Sequence, residues 1–102
     1  MMSVLLEFSI FPTDLGESKS KYVSKVLDMV SKSGVKYQLT PMGTIVEVSS
    51  VKEALDIVQK SYDVLEPYSN RVYSSIKIDM RKDKIDRMKS KIASVEKHLN
   101  KG

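Results

Sequence analysis

Four polar side chains stand inside segments that otherwise read as β-strands: Glu7, Ser9, Glu47 and Lys77. Glu47 is the least expected of them, flanked by Val46 and Val48 in a run that is apolar and β-branched apart from Thr44. A carboxylate is costly to bury without a partner, so its face of the strand must meet solvent, a ligand or another subunit. Two carboxylates on one face, Glu7 and Glu47, could form an acid/base pair, because neighbouring like charges raise one pKa. No nucleophile or orienting base accompanies them, and the sequence holds no HExxH, no Gly-rich phosphate loop and no calcium loop. The lone histidine, His98, falls in the last turn of the terminal helix, where a cation suits the helix end. Asp79 and Asp83 around Arg81 read as surface charge pairs rather than cation ligands. The chemistry left to this set is recognition, with carboxylates and hydroxyls on adjacent strands exchanging hydrogen bonds with a small polar molecule.

The elements that must position these groups follow from periodicity. Val4, Leu6, Phe8 and Ile10 alternate with Leu5, Glu7, Ser9 and Phe11, the period-two pattern of a strand over Val4–Phe11. Ser18 or Ser20 can cap a helix carrying Tyr22, Val23, Val26, Leu27 and Val30, and Gly34 stops it. Strands over Tyr37–Thr40 and Thr44–Val48 flank a Pro41-Met42-Gly43 corner, where proline fixes φ and glycine permits a turn. Ser49 or Ser50 opens a second helix with Val51, Ala54, Leu55, Val58, Tyr62 and Leu65 on one face, and Glu53 suits a capping box. A fourth strand runs from Val72 to Met80, and a third helix covers Lys84–Leu99 with Ile85, Met88, Ile92, Val95 and Leu99 at heptad spacing. That stripe is too short for an isolated coil and is expected to dock on its own sheet or across a subunit boundary. Met29, Met80 and Met88 read as core filling.

The order β-α-β-β-α-β-α contains the split β-α-β unit of the ferredoxin-like fold: α+β, a four-stranded antiparallel sheet with an additional C-terminal helix. Two helices cover one sheet face. The other carries Glu7, Ser9, Glu47 and Lys77 together with Leu5, Phe11, Ile45 and Tyr73, more apolar surface than a solvated face needs, so subunit pairing is expected.

Composition limits the alternatives. The 102 residues support one domain, 1–102, with a modest core, and 41% apolar and 29% charged residues are those of an ordinary globular chain. No apolar run is long enough to span a bilayer, and Val4–Phe11 lacks the basic flank and cleavage site of a signal peptide, so a cytoplasmic protein is expected. The absence of cysteine removes disulfides, thiolate catalysis and zinc–thiolate sites together. The net charge of +4 is concentrated in Arg81–Lys91. Such a cluster can bind nucleic acid, but it has no interleaved aromatics and is read as a solvated helix face.

Three segments carry a resemblance. Leu6–Pro12 (LEFSIFP), Leu39–Glu47 (LTPMGTIVE) and Ser75–Arg81 (SIKIDMR) resemble, in order and spacing, the three signature strands of the small thiamine-binding protein family, over Ser3 to about Leu99. The resemblance implies a cytoplasmic, non-enzymatic protein, with no cofactor, that binds thiamine or its hydroxymethylpyrimidine moiety as ligand. It implies dimers joined sheet edge to edge and paired through sheet faces into a homotetramer, a dimer of dimers. Carried over by position, the ligand-site residues are Glu7, Ser9, Thr40, Met42, Thr44, Glu47 and Lys77. Val48 and Ser49 stand where many relatives have a glycine, and Met80 replaces a more usual acidic or polar residue. Two other readings stay open beside this one: a ligand-sensing or purely structural oligomeric protein with a different small ligand, and, behind both, a basic nucleic-acid-binding protein.

Overall fold

The alternation in the first strand becomes the centre of the molecule. In the computed structural model, which describes residues 2–17 and 19–99, the order is β1 (Met2–Pro12), α1 (Lys19–Lys32), β2 (Lys36–Thr40), β3 (Gly43–Val48), α2 (Val51–Leu65), β4 (Val72–Lys82) and α3 (Arg87–Leu99). The four strands form one antiparallel sheet in the order β2-β3-β1-β4. This is the expected α+β arrangement.

One face of the sheet is dry. Val4, Leu6, Phe8 and Ile10 of β1 and Val46 and Val48 of β3 pack with Val26 and Val30 of α1 and with Ala54, Ile57 and Leu65 of α2. Burial of these side chains drives docking, at about 25 cal/mol per Å² of apolar surface removed from water. α1 ends where Gly34 takes a φ of +81°, a conformation that disfavours other residues. The helix begins at Lys19, which excludes Ser20 as its cap, since Ser20 sits inside the first turn; the other expected cap, Ser18, lies outside the described residues. α2 is capped by Ser50, whose Oγ accepts from the Glu53 amide at 3.1 Å, and Glu53 reaches back to accept from the Ser49 N–H at 3.4 Å.

Gly43 is required by a close approach. A Cβ there would lie 2.8 Å from the Phe8 carbonyl oxygen, so only glycine lets β3 start this near β1.

Three expectations change at the C-terminal end: the start of α3, the seat of its stripe on its own sheet, and the core role of Met80 and Met88. α3 begins at Arg87, not Lys84, because Asp83 and Asp86 take φ values of 66° and 53° and bend the chain between β4 and the helix. Its heptad stripe does not dock on the sheet: Ile92, Val95 and Leu99 are 48%, 61% and 72% exposed, the exposure rising as the helix leaves its anchor. Met80 is exposed and Met88 half-buried, so neither fills the core, whereas Met29 does pack against it. The helix-side row of β4 is bare beyond its first residues. α2 reaches only the start of that strand, where the Tyr62 hydroxyl meets Ser74 Oγ at 2.6 Å, and Ile76, Ile78 and Met80 beyond it are exposed.

Candidate functional site

Register fixes which groups share the second face. Leu5 lies between Glu47 of β3 and Asp79 of β4, and Glu7 between Ile45 and Lys77. Ser9 is opposite Ser75, and Phe11 opposite Tyr73, with ring centroids 5.7 Å apart. Cross-strand neighbours on one face are within reach of each other, so Glu7, Ser9, Glu47 and Lys77 do fall on a common face. The seven residues expected from sequence nevertheless divide among three places.

The first place is the foot of α3. Glu47 is buried and its carboxylate is fully engaged: Oε2 accepts from Ser3 Oγ at 2.6 Å and from the Arg87 amide at 2.8 Å, and Oε1 accepts from the Met88 amide at 3.2 Å. It therefore caps the helix from another element, a negative charge against the positive end of the helix dipole. The local candidate, Asp86, is turned away by its left-handed backbone and pairs with Lys36. Burial pushes the Glu47 carboxyl up, but the Ser3 hydroxyl, the two amides and nearby Lys36 outweigh it, and its pKa lies below the ordinary value.

Arg87 completes this anchor and was not legible as a buried group. Only 2% exposed, it donates from Nε to Ser3 Oγ at 3.1 Å, from one terminal nitrogen to Asp79 Oδ2 at 3.0 Å, and from the other to the Ser3 and Asp79 carbonyls at 3.0 and 2.5 Å. The Ser3 hydroxyl both accepts from Arg87 and donates to Glu47, so the cluster closes on itself. Arg87 and then Lys91 at 3.4 Å hold the Asp79 carboxyl below its ordinary pKa. In the sequence Arg87 fell off the apolar stripe and inside a basic cluster. The available signal was the convergence of Ser3, Glu47 and Asp79 at one end of a face, which demands a buried cation.

The second place is a groove on the same face, lined by Leu5, Glu7, Ile45, Lys77, Asp79 and Lys91, with a volume of about 320 Å³. Leu5 and Ile45 form its apolar floor. Glu7 and Lys77 are directly opposed across β1 and β4, yet neither makes a side-chain hydrogen bond or ion pair among the described residues. Lys91 arrives from α3, so the Glu47–Arg87 anchor also sets one wall of the groove.

The third place is the β2–β3 corner. Thr40 Oγ1 donates to the Gly43 carbonyl at 2.8 Å and accepts from the Met42 amide at 3.2 Å, so its hydroxyl shapes the turn. Met42 is exposed at the tip. Thr44 pairs with Phe8 and belongs to the buried helix-side row, not to the polar face. With Ser9, these residues line a smaller hollow of about 200 Å³ between the corner and α1. The structure thus brings together Glu7 and Lys77, gathers Ser9, Thr40, Met42 and Thr44 elsewhere, and sets Glu47 apart. No cluster of three metal-ligating side chains occurs among the described residues, and no helix of theirs is long and apolar enough to cross a membrane.

Comparison with known proteins agrees with this fold. Residues 6–96 match the model of a family described as thiamine-binding protein. An UPF0045 protein of Mycobacterium tuberculosis is 34% identical over 98 residues, 96% of either chain, and one of Bacillus subtilis is 38% identical over 81 residues, covering 76% of this chain and 75% of that one. The crystal structure of a hypothetical protein of Methanocaldococcus jannaschii superposes with a TM-score of 0.83 at 34% identity, over 94% of this chain and 98% of that one. A Thermotoga maritima protein, proposed to act in thiamine biosynthesis or salvage, shares the fold with a TM-score of 0.75 at 24% identity, over 88% of this chain and 98% of that one. The match over residues 6–96, with relatives at 34% identity along nearly the whole chain, places this chain in the thiamine-binding protein family.

Proposed function

We propose that the protein binds thiamine or its hydroxymethylpyrimidine moiety, without catalysis and without a cofactor, in the groove between Leu5, Glu7, Ile45 and Lys77. The observation that carries this reading is the unpartnered Glu7 carboxylate beside an apolar floor. A 4-aminopyrimidine offers an amine donor beside ring acceptors, and Glu7 with Lys77 opposite supplies the complementary acceptor and donor. Leu5 and Ile45 provide a flat apolar contact for the ring, and about 320 Å³ suits one small molecule. The family's description and the Thermotoga maritima relative's proposed role in thiamine biosynthesis or salvage point the same way.

The protein acts, in this reading, as a cytoplasmic homotetramer, a dimer of dimers with the groove near subunit boundaries. Two bare apolar surfaces support assembly. The edge strand β4 exposes Ile76, Ile78 and Met80 along eleven residues, a template for pairing, and the α3 stripe is uncovered. Calorimetric titration with thiamine and with hydroxymethylpyrimidine, run beside an RNA oligomer, tests the assignment. Saturable heat with the first two and none with the RNA is expected; no heat with either small molecule would overturn it. Light scattering at micromolar concentration is expected to give four chains, and a monomer would refute the assembly.

A further inference from the structure

The outer side of β4 is an open sheet edge. The strand pairs only with β1, and from Ser75 to Lys82 both of its rows are exposed. Its second-face row carries Lys77, which makes no side-chain hydrogen bond or ion pair among the described residues. Two positions on is Asp79, whose Oδ2 takes Arg87 and Lys91 while Oδ1 has no partner among the described residues. The helix-side row presents Ile76, Ile78 and Met80, 40%, 38% and 47% exposed. A second copy of the same strand closes such an edge, since it supplies backbone partners and matching rows together.

Two copies of one strand pair antiparallel about a two-fold axis, so one residue faces its own copy and its identity fixes the register. An axis at Lys77 sets two ammonium groups against each other. An axis at Asp79 opposes two carboxylates and puts Lys77 against Arg81. At Ile76 it opposes Ile78 with Ser74, and at Ser75 or Met80 the overlap shrinks to Val72–Ile78 or Ile78–Lys82. An axis at Ile78 alone matches both rows over Ser74–Lys82: Lys77 faces the partner's Asp79, Ile76 faces the partner's Met80, and Ile78 faces its copy. Opposite charges and apolar pairs directly across strands are the stabilising combinations. We infer that two copies join β4 to β4 about an axis at Ile78, and that each groove takes the partner's Asp79 as its outer wall. Lys77 then lies between Glu7 of its own chain and Asp79 of the partner subunit, and the two grooves become one trough across the joint. This rests on the assembly proposed above and deepens it, naming the register and the residue that each copy lends to the other's site.

The chain contains no cysteine, so single introduced thiols report the register. Ile78→Cys, Lys77→Cys and Ile76→Cys are each oxidised with diamide and resolved by non-reducing denaturing electrophoresis. Directly opposed residues have Cα atoms about 4.5–5.5 Å apart, within the disulfide range of about 4.4–6.8 Å. In the proposed register residue 77 and its copy are diagonal neighbours at about 7–8 Å, and residue 76 is further from its copy. Ile78→Cys is therefore expected to form cross-linked dimer about tenfold or more faster than the other two. Faster cross-linking at position 77 or 76 overturns the register and leaves the assembly standing. Oligomers with no cross-link at any of the three overturn the β4 joint, and a monomer by light scattering overturns the joint and the assembly together. Lys77→Glu should raise the dimer dissociation constant several-fold in sedimentation, with Lys77→Arg close to the native value; an unmoved constant overturns the pairing with Asp79 of the partner subunit. None of these readouts uses a ligand, so a failure of thiamine binding overturns the proposed function without touching the joint.

Discussion

Replacing Glu47 by glutamine separates two roles for this residue. The carboxylate accepts three hydrogen bonds, from Ser3, Arg87 and Met88. A glutamine carbonyl can take the place of Oε2 and keep Ser3 and Arg87, but its amide then points a donor at the Met88 N–H. The substitution thus loses one bond, opposes two donors, and removes the charge from the two bonds that survive. Charge-assisted bonds of this kind are worth about 1.5–3 kcal/mol, and a carboxylate at a helix N-terminus adds up to about 2 kcal/mol in partly buried geometry. The terms overlap, so about 2 kcal/mol is the expected loss in α3 docking, roughly a thirtyfold rise in its undocked population. Most of this falls on α3 alone, because only Arg87 of that helix is buried and local opening is governed by local contacts. Amide hydrogen exchange read by mass spectrometry is the assay: peptides over α3 should exchange about ten- to hundredfold faster, with α1 and α2 unchanged. Unaltered α3 exchange together with lost thiamine affinity would refute the anchor and return Glu47 to the ligand set.

Three further outcomes follow from the same contacts. Glu7→Gln should weaken thiamine binding by about tenfold or more in calorimetry and leave the melting temperature unchanged, since the Glu7 side chain makes no hydrogen bond or ion pair among the described residues. Gly43→Ala drives a Cβ to 2.8 Å from the Phe8 carbonyl oxygen; the backbone there cannot yield cheaply, and a loss of about 1–3 kcal/mol, read as a melting-point drop of several degrees, is expected. Acid should release α3: the Glu47 pKa is lowered in the folded protein, so its stabilisation is complete above the ordinary glutamate value of 4.5 and disappears as pH falls through the lower folded value. Relative to the intrinsic rate, exchange of α3 should rise across that window more in the native protein than in Glu47→Gln, where only the Asp79 pairs with Arg87 and Lys91 remain to titrate.

Much of the fold was legible because each strand and helix carries one periodicity without conflict. The β1 alternation named the core row Val4, Leu6, Phe8 and Ile10, and Ser50 with Glu53 marked the start of α2. The polar face was legible too, since register follows once the hairpin of β2 and β3 is placed at Pro41-Met42-Gly43. The use of that face was not. Glu47 announces itself as anomalous in its strand, but nothing in linear order says that residues 87 and 88 return forty positions later to satisfy it. Arg87 sits among residues whose neighbours are solvated, and its burial depends on Asp83 and Asp86 adopting left-handed conformations that composition does not reveal. Thr44 shows the opposite limit. Its identity suits a polar site, yet strand parity places it beside Phe8 on the buried side.

The location of the ligand is the claim on which the rest depends, and nuclear magnetic resonance mapping addresses it directly. Backbone amides of the uniformly labelled protein are followed during titration with thiamine. Shifts confined to Leu5–Glu7, Ile45 and Lys77–Asp79, with Lys91 moving alongside, are predicted. Shifts centred instead on Phe11, Thr40–Thr44 and the facing turn of α1 would move the site to the corner hollow and contradict the assignment to the sheet-face groove.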